Sequence, residues 1–344
     1  MRIQYLKIEM VCYYRRNSIY QKQRVSTITA HNQITMNTIP IAFAFDNNLV
    51  MPACVCLSSL MMNAKPDTFY DIFILHSEKE DLRKEELNKL PTHYPNCRIQ
   101  YRTVDDSFDR AFEIRGITIA TYYRLLIPEL IPEYEKILYS DVDVIFRSDL
   151  SKFYDIDLTH HYLAGVNSLA HLIPDNNHYY TQERCLDASQ IIYAGNIVMN
   201  AHALRADGII EQFKQHIQYK YRFQDMDIIN IVCANHIKYL SPDYCVTNYF
   251  CELAARNRQV LYPQWDEVEI DEALFTGIVH YNGQKPWKGL CPNFDIWWEY
   301  YRKSPYFDEK FYFEFFYSKL NELDQLSLWK RIKIIARYFI HGRK

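Results

Sequence analysis

The amino-acid sequence predicts an α/β fold in which a mostly parallel, mixed sheet is flanked by helices. Short apolar segments alternate with helical segments from position 36 onwards, and this alternation is typical of a sheet with helices on both faces. One apolar segment, 136–146, is interrupted near its end by two carboxylates one residue apart, Asp141 and Asp143. Because ligands bind beyond the carboxyl ends of strands in such sheets, this segment also predicts where a functional site lies.

The elements before residue 105 follow a strand–helix–strand pattern. The predicted elements, in order, are strand 39–45, helix 50–64, strand 70–75, charged amphipathic helix 80–90 and strand 98–104. Asp46 and Asn48 follow the first strand, so we expect them at the same edge of the sheet as the Asp141 segment. The sequence contains neither a G-x-G-x-x-G motif nor a Walker loop, which argues against a dinucleotide-binding or P-loop fold.

The pattern continues through the middle of the chain. The predicted elements are helix 118–130, strand 136–146, strands 162–166 and 191–200, helix 202–219 and a helix that opens at 223–227. Gly195 interrupts its strand, which lets a ligand or another part of the chain approach closely. Asp225 and Asp227 lie at the start of the last helix, where capping is the ordinary explanation for acidic residues.

The composition restricts the class of protein. With 344 residues, 49% hydrophobic and 24% charged, the chain can form one large or two ordinary globular domains. The net charge is −3, but residues 328–344 carry six cations and no acid, so the remainder carries −9. An acidic body argues against a nucleic-acid partner. Nine cysteines without a Cys-x-x-Cys pair predict reduced thiols rather than a zinc or disulfide framework.

The first 35 residues are polar and lack periodicity, which predicts a disordered N-terminal extension. Met36 directly precedes the first predicted strand, so we interpret it as the natural start. No apolar run approaches the length of a membrane span, and the N-terminus lacks the apolar core of a signal peptide. These observations predict a cytoplasmic protein.

The two carboxylates after residue 140 suit a metal ion. Side chains at i and i+2 of a strand point the same way, so Asp141 and Asp143 can converge on one point. Hard oxygen ligands favour Mg²⁺ or Mn²⁺, and a metal held by so few protein ligands keeps positions for phosphate oxygens. Taken alone, the motif is better explained as a solvated strand end. A phosphotransferase motif of the same form requires a Thr where this chain has Ile145.

A second cluster of unusual composition lies near the end of the predicted sheet. Residues 278–287 combine His280, Gly283, Lys285 and Trp287. A lone histidine is more often structural than a ligand. A histidine followed by a glycine turn and a lysine, however, suits the binding of a metal together with a phosphate.

Six blocks of this sequence together resemble glycosyltransferase family 8, which includes bacterial lipooligosaccharide galactosyltransferases, lipopolysaccharide glucosyltransferases and glycogenin. The blocks are residues 43–48, 121–125, 138–144, 194–195, 223–227 and 280–287. The resemblance implies a GT-A fold, a UDP-hexose donor carrying glucose or galactose, Mn²⁺ (with Mg²⁺ as a substitute) and retention of the anomeric configuration. It also implies a glycan or lipid-linked acceptor in cell-surface polysaccharide synthesis.

The resemblance implies roles for individual residues. The uridine-binding positions correspond to Ala44, Asp46 and Asn48, with Ile117 beside the base. The metal ligands correspond to Asp141, Asp143 and His280, and the diphosphate contacts to Gly283 and Lys285. Arg124 and Asp225 correspond to polar groups around the donor sugar, and we assign them as catalytic residues.

Four positions depart from the family pattern. Leu49 stands where an aromatic residue often stacks on uracil, and Gly116 replaces a histidine. Tyr193 replaces the asparagine of Asn-Ala-Gly, and the loop from Gly283 to Lys285 is one residue shorter. A catalytically inactive sugar-nucleotide-binding or scaffold protein of the same fold is the alternative function.

The family resemblance also bears on how the configuration is retained. Met226 stands where related galactosyltransferases have a glutamine that has been considered as a nucleophile. A thioether cannot form a stable glycosyl ester, so Met226 suits an apolar wall. We therefore predict front-side substitution, with Asp225 holding the sugar.

The C-terminal segment predicts a basic amphipathic helix. Its apolar residues recur at helical spacing and are Leu328, Ile332, Ile335, Ala336 and Phe339. Such a helix can lie on an anionic bilayer at the inner face of the plasma membrane, or pack on the acidic body of the protein. The predicted organisation is therefore an extension at 1–35, a GT-A catalytic domain at 36–300 and a helical basic tail at 301–344.

Overall fold

The structure of the protein, a computed structural model, describes residues 36–105 and 118–340. The predictions for residues 1–35, Gly116 and Ile117 and the side chain of Phe339 lie outside the described part. The strands are β1 (Asn37–Ala44), β2 (Thr68–Ser77), β3 (Cys97–Val104), β4 (Lys136–Ser140), β5 (Val144–Ile145), β6 (Leu163–Asn167), β7 (Ile192–Asn200), β8 (Ile237–Leu240), β9 (Val246–Thr247) and β10 (Val279–His280).

The main sheet is mixed, as predicted. Among the described residues it has seven strands in the order β3-β2-β1-β4-β7-β6-β8. The pairs on the β3 side up to β4 are parallel, whereas β7 runs antiparallel to both of its neighbours. Buried apolar side chains form a core on each face of this sheet. The prediction of an α/β fold is confirmed.

The register of the sheet brings three segments of the chain together. Ala42 of β1 pairs with Tyr139 of β4, so the two parallel strands end at the same level. Ser140 at the end of β4 pairs with Asn196 of the antiparallel β7. The Asp46 loop, the Asp141 loop and the first residues of β7 therefore meet at one edge.

A small second sheet adds a distant part of the chain to this edge. It has the order β5-β10-β9, and His280 of β10 pairs with Val144 of β5. The backbone N–H of Tyr281 donates to the carbonyl oxygen of Asp143 at 2.9 Å. Backbone pairing therefore positions His280 beside Asp143.

Three predicted helices differ from the observed ones. The helices span Val50–Met62, Lys84–Leu87, Lys89–His93, Ile127–Leu130, Ser151–Tyr154, Pro174–His178, Ala201–Ala206, Ile209–His216, Gln224–Val232, Asn248–Arg256, Glu267–Thr276, Phe294–Lys303, Glu309–Asp324 and Leu328–Ile340. The predicted helix 202–219 is two helices, because Gly208 adopts a left-handed φ of 65° between them. The predicted helix 118–130 begins as a 3₁₀ helix, Ile119–Leu126.

The predicted helix 80–90 was also wrong as a single element. It is replaced by the short helices Lys84–Leu87 and Lys89–His93. The residues before them are engaged by the loop after β1, since Glu80 accepts a hydrogen bond from the backbone N–H of Asn47 at 3.0 Å. The carbonyl of Asp81 accepts from the side chain of the same asparagine. Periodicity alone does not reveal such a contact.

The C-terminal segment is helical, as predicted. The helix Glu309–Asp324 packs through aromatic rings on the helix before it, with Trp298 and Phe315 ring centroids 4.6 Å apart. The last helix, Leu328–Ile340, exposes Leu328 and Trp329. The boundary at residue 300 stays a prediction. Among the described residues, no helix has both the length and the apolar character needed to cross a membrane.

Candidate active site

The side chain of Asp141 lies just beyond the end of β4 and accepts hydrogen bonds from two directions. Its Oδ1 atom accepts from Nη2 of Arg124 at 2.8 Å and from the hydroxyl of Tyr139 at 2.7 Å. Its backbone N–H donates to the carbonyl of Gly195 at 2.7 Å. These contacts fix one carboxylate oxygen and leave Oδ2 facing His280, whose Nε2 lies 3.5 Å away.

Asp143 is surrounded by positive charge. Its Oδ1 atom lies 3.3 Å from Nε2 of His280, and Lys285 forms an ion pair with its Oδ2 atom. Burial alone would raise the pKa of Asp143, but Lys285 and His280 outweigh it and hold this pKa well below its usual range. The carboxylate is therefore ionised at neutral pH.

Asp141, Asp143 and His280 form one cluster. One ligand atom from each of them lies within 4.8 Å of the others. Burial alone would lower the pKa of His280, but the carboxylate of Asp143 and the thiol of Cys245 raise it to about 10. The negative potential that stabilises an imidazolium here also attracts a metal cation. Two carboxylates and one imidazole are a suitable ligand set for Mn²⁺.

Gly195 makes this cluster sterically possible. A Cβ atom at this position would lie 2.4 Å from Cε1 of His280 and 2.7 Å from Oδ2 of Asp141. Both distances are shorter than non-bonded contacts allow, so any side chain would displace one of the two groups. The close approach that the sequence predicted at Gly195 is made by the side chains of the cluster.

Arg124 joins the cluster to a second buried carboxylate, Asp225. Its Nε atom lies 3.1 Å from Oδ2 of Asp225, while Nη1 donates to the carbonyl of Ala194 at 2.6 Å. The guanidinium also covers the ring of Tyr139, with its Cζ atom 4.3 Å from the ring centroid. Arg124 is itself buried. Because its nitrogen atoms and its planar face all contact these groups, its position is fixed.

Asp225 is a buried acid with specific partners. Its Oδ1 atom accepts a hydrogen bond from the hydroxyl of Thr121 at 2.7 Å. Burial raises the pKa of Asp225 to about 6, although Arg124 and Thr121 oppose the increase. Gln224, directly before it, adopts a positive φ of 50°, a strained conformation that is common at functional sites. Capping does not account for this residue.

Asp227, by contrast, has a structural role. It is fully buried and accepts hydrogen bonds from the hydroxyls of Tyr179 and Tyr180 at 2.7 and 2.8 Å. It also accepts from the backbone N–H of Phe223, the residue before the helix Gln224–Val232, at 2.9 Å. Met226 between the two acids packs against apolar clusters on both sides.

Ala44, Asp46 and Asn48, which were predicted to bind the uridine, lie at the same edge of the sheet. Ala44 ends β1, and Asp46 caps a 3₁₀ helix by accepting a hydrogen bond from the backbone N–H of Asn48 at 2.9 Å. Leu49 stands where an aromatic residue was expected, and it packs against the core on one face of the main sheet. The geometry therefore provides no stacking ring at that position.

The loop after β10 carries the remaining predicted residues. Nζ of Lys285 donates to the carbonyl of Tyr281 at 2.6 Å as well as to Asp143. Gly283 is exposed, and a Cβ atom there would meet Asn248 at 3.5 Å, an ordinary contact.

Tyr193, where the family pattern has an asparagine, lies near the start of β7. Burial raises the pKa of its hydroxyl, while hydrogen bonds with Thr247 and Asn282 lower it.

Sequence reasoning missed three contributors to this site. Tyr139 lies two residues before Asp141 on a strand, and Thr121 lies three residues before Arg124 on a helical turn, so local spacing could have identified both. Cys245, which lies 3.5 Å from Nδ1 of His280, is brought there by the small sheet. No local signal in the sequence predicts that contact.

The fold and site define a class of protein. A mixed sheet with Asp-x-Asp beyond a central strand, joined by a histidine from a small second sheet, is the architecture of a GT-A glycosyltransferase. The family model "Glycosyl transferase family 8" matches residues 40–291. The chain therefore belongs to glycosyltransferase family 8.

Relatives and solved structures agree with this family. A Haemophilus influenzae protein, whose name as a glycosyltransferase is itself provisional, is 28% identical over 61% of this chain and 64% of its own. The lipopolysaccharide 1,2-glucosyltransferase of Escherichia coli is 23% identical over 78% and 77%. Thus the chain spans somewhat less than two thirds of the Haemophilus relative.

Two solved structures share the fold. The galactosyltransferase LgtC in complex with donor and acceptor sugar analogs has a TM-score of 0.65 and 24% identity, over 79% of this chain and 98% of its own. The bifunctional glycosyltransferase WbbM also has a TM-score of 0.65, with 20% identity over 83% and 53%. At these identities the likeness shows the fold alone.

The first prediction concerns Gly195. Gly195→Ala is expected to weaken Mn²⁺ binding at least tenfold, because its methyl group must displace His280 or Asp141. Gly289→Ala is the matched control, since a Cβ atom there meets nothing within 4 Å. Mn²⁺ titration followed by electron paramagnetic resonance measures both. Equal affinities for the two variants would contradict the geometry.

Proposed function

We propose that this protein transfers a hexose, glucose or galactose, from a UDP-sugar to a glycan or lipid-linked acceptor in cell-surface polysaccharide synthesis, with retention of configuration. The observation that carries this proposal is the convergence of Asp141, Asp143 and His280 at the carboxyl edge of the sheet in a family 8 chain. The lipopolysaccharide 1,2-glucosyltransferase of Escherichia coli named above supports it, and the galactosyltransferase LgtC shares the fold.

The residues present fit the metal that the fold family implies. Asp141, Asp143 and His280 would hold one Mn²⁺, with Mg²⁺ as a substitute, and Gly195 leaves the space in which their ligand atoms meet. Such an ion neutralises charge that develops on the departing diphosphate. Lys285, already directed at this cluster, would contact the diphosphate beside it, with Gly283 giving the backbone room to approach.

The nucleoside and the sugar are assigned to different residues around the cluster. We assign Ala44, Asp46 and Asn48, which lie at or just after the end of the neighbouring strand β1, to the uridine, and Ile117 to the base. Asp225 would accept hydrogen bonds from sugar hydroxyls. Its carboxylate is already held by Thr121 and Arg124, which fix its orientation.

These contacts favour front-side substitution over a covalent intermediate. Both oxygens of Asp225 are engaged by donors, which makes the carboxylate a weak nucleophile. Met226 packs as an apolar wall. The acceptor oxygen would attack C1 on the face that the diphosphate leaves, and the acceptor proton would pass to a β-phosphate oxygen. Arg124 acts in this scheme by positioning Asp141 and Asp225.

The alternative is an inactive sugar-nucleotide-binding or scaffold protein of the same fold. The cluster, Lys285 and the buried Asp225 are all present, which favours turnover. A test must therefore measure the release of UDP rather than binding alone.

The second prediction tests catalysis. UDP release from UDP-glucose or UDP-galactose should require Mn²⁺, and Asp143→Ala should lower the rate about a thousandfold, because metal stabilisation is worth several kcal/mol. The exposed Asp157→Ala is the control and should retain full activity. Wild-type protein that binds UDP-sugar but releases no UDP with any acceptor would favour the scaffold function instead.

The third prediction separates Asp225 from its neighbour. Asp225→Asn should lower turnover 10- to 100-fold, since the charge that pairs with Arg124 and orients the sugar is lost. Met226→Leu conserves volume and should stay within about threefold of wild type. Steady-state rates for both variants measure this. A hexose found covalently attached to Asp225 by mass spectrometry of quenched enzyme would contradict front-side substitution.

We also propose that the last helix, Leu328–Ile340, docks the enzyme on an anionic membrane surface at the inner face of the plasma membrane. Leu328, Trp329 and Ile335 are 72%, 80% and 56% exposed. The cations Lys330, Arg331 and Lys333 of the same helix are also exposed. A basic helix with exposed apolar residues suits an anionic bilayer. A lipid-linked acceptor would then lie within reach of the site.

The fourth prediction tests this docking. Lys330→Glu with Lys333→Glu should weaken co-sedimentation with phosphatidylserine vesicles at least tenfold, because each cation near the surface contributes about 1 kcal/mol. Lys89→Glu with Lys152→Glu, in exposed positions on the body, is the matched control. Equal loss in both double variants would show that the tail is not the anchor.

A further inference from the structure

The buried thiol of Cys245 contacts the side of the His280 ring that faces away from the carboxylates. The Sγ atom lies 3.5 Å from Nδ1, and the two residues are only 1% and 5% exposed. On the opposite side of the ring, Nε2 lies 3.3 Å from Asp143 and 3.5 Å from Asp141. The imidazole is therefore held between a sulfur atom and two carboxylates.

Backbone hydrogen bonds fix both ends of this contact. Cys245 directly precedes β9, which pairs with β10 so that Thr247 lies opposite His280. The backbone N–H of Cys245 donates to the carbonyl of Pro242 at 3.1 Å, and that of Val246 donates to Ile278 at 2.8 Å. The thiol is therefore placed by the same small sheet that delivers the histidine.

The contact selects which nitrogen of His280 is available as a ligand. A metal cation binds the neutral imidazole, so one proton leaves the ring on binding, and only the nitrogen without a proton can be the ligand. If the proton is on Nδ1, the N–H group donates a hydrogen bond to the sulfur of Cys245. The lone pair of Nε2 is then available to a cation held by the two carboxylates. Without an acceptor, a buried Nδ1–H is left unpaired, and the proton moves to Nε2, where carboxylates accept it.

We propose that Cys245 is a positioning residue for metal binding, which holds the ring of His280 and fixes its proton on Nδ1. This inference rests on the proposed function, because it assumes that the Asp141 cluster holds the metal. Ligating histidines are generally oriented by a group at the other ring nitrogen, and removing that group typically costs 10- to 100-fold in metal affinity. The unusual feature here is that the group is a thiol.

A purely structural role for Cys245 makes the opposite prediction. Cys245 also belongs to the core on one face of the main sheet. Cysteine in a core behaves as a small hydrophobe. If it only fills space, Cys245→Ala should be tolerated better than Cys245→Ser, which buries a hydroxyl. If it orients His280, the order is reversed, since a serine oxygen accepts the Nδ1–H hydrogen bond and an alanine cannot.

The test is Mn²⁺ affinity of the full chain, measured by electron paramagnetic resonance of the free ion. We expect Cys245→Ser to stay within about threefold of wild type and Cys245→Ala to bind at least tenfold more weakly. Cys245→Thr and Cys245→Val repeat the comparison with side chains of matched shape, in case the Ala variant does not fold. The backbone of Cys245 has a negative φ of −158°, outside the left-handed region that disfavours β-branched residues.

Cys233 supplies the matched control. It is fully buried in the core on the other face of the sheet, so Cys233→Ser and Cys233→Ala should change stability without changing Mn²⁺ affinity. Serine and alanine at position 245 with equal affinity, or alanine with the higher affinity, would overturn the inference while the proposed function stands. Wild-type protein without Mn²⁺ affinity would overturn the proposed function and this inference with it.

Discussion

The site depends on holding Asp141 and Asp143 together against their mutual repulsion. Within the described residues, this repulsion is offset by three cationic or protonatable side chains from distant parts of the chain, Arg124, His280 and Lys285. In a buried environment such pairs interact far more strongly than in water. The main sheet supplies the acids and Arg124 packs behind them, while the small sheet and its following loop supply the other two groups.

Arg124 links the proposed metal ligand Asp141 to Asp225, the residue proposed to bind the sugar. The same guanidinium contacts Asp141, Asp225 and the carbonyl before Gly195, so a shift at one of these groups is transmitted to the others. The absence of a side chain at Gly195 then allows the side chains of Asp141 and His280 to lie close to the backbone and to each other. In the proposed function the leaving diphosphate and the sugar must be held in one fixed relation, and a buried arginine with these contacts would provide a rigid support for it.

Much of this arrangement follows from sequence, and the rest depends on long-range packing. The apolar segments and the Asp141 spacing predict the sheet and its functional edge, and the resemblance to family 8 implied that His280 joins the two carboxylates. The predicted helix 80–90 is broken by contacts with Asn47, and the predicted helix 202–219 is broken at Gly208. Hydrophobic periodicity contains no information on either feature. Cys245 reaches His280 only through the pairing of β9 with β10, so no local pattern could identify it.

Asp141, Asp143 and His280 are proposed to hold together the ion that binds the diphosphate. Anomalous diffraction at the manganese edge, from crystals grown with Mn²⁺ and UDP, would locate that ion. We expect one strong peak in contact with both carboxylates and Nε2 of His280, and with the diphosphate of UDP. A peak elsewhere, or UDP bound at this edge of the sheet without any peak, would contradict it.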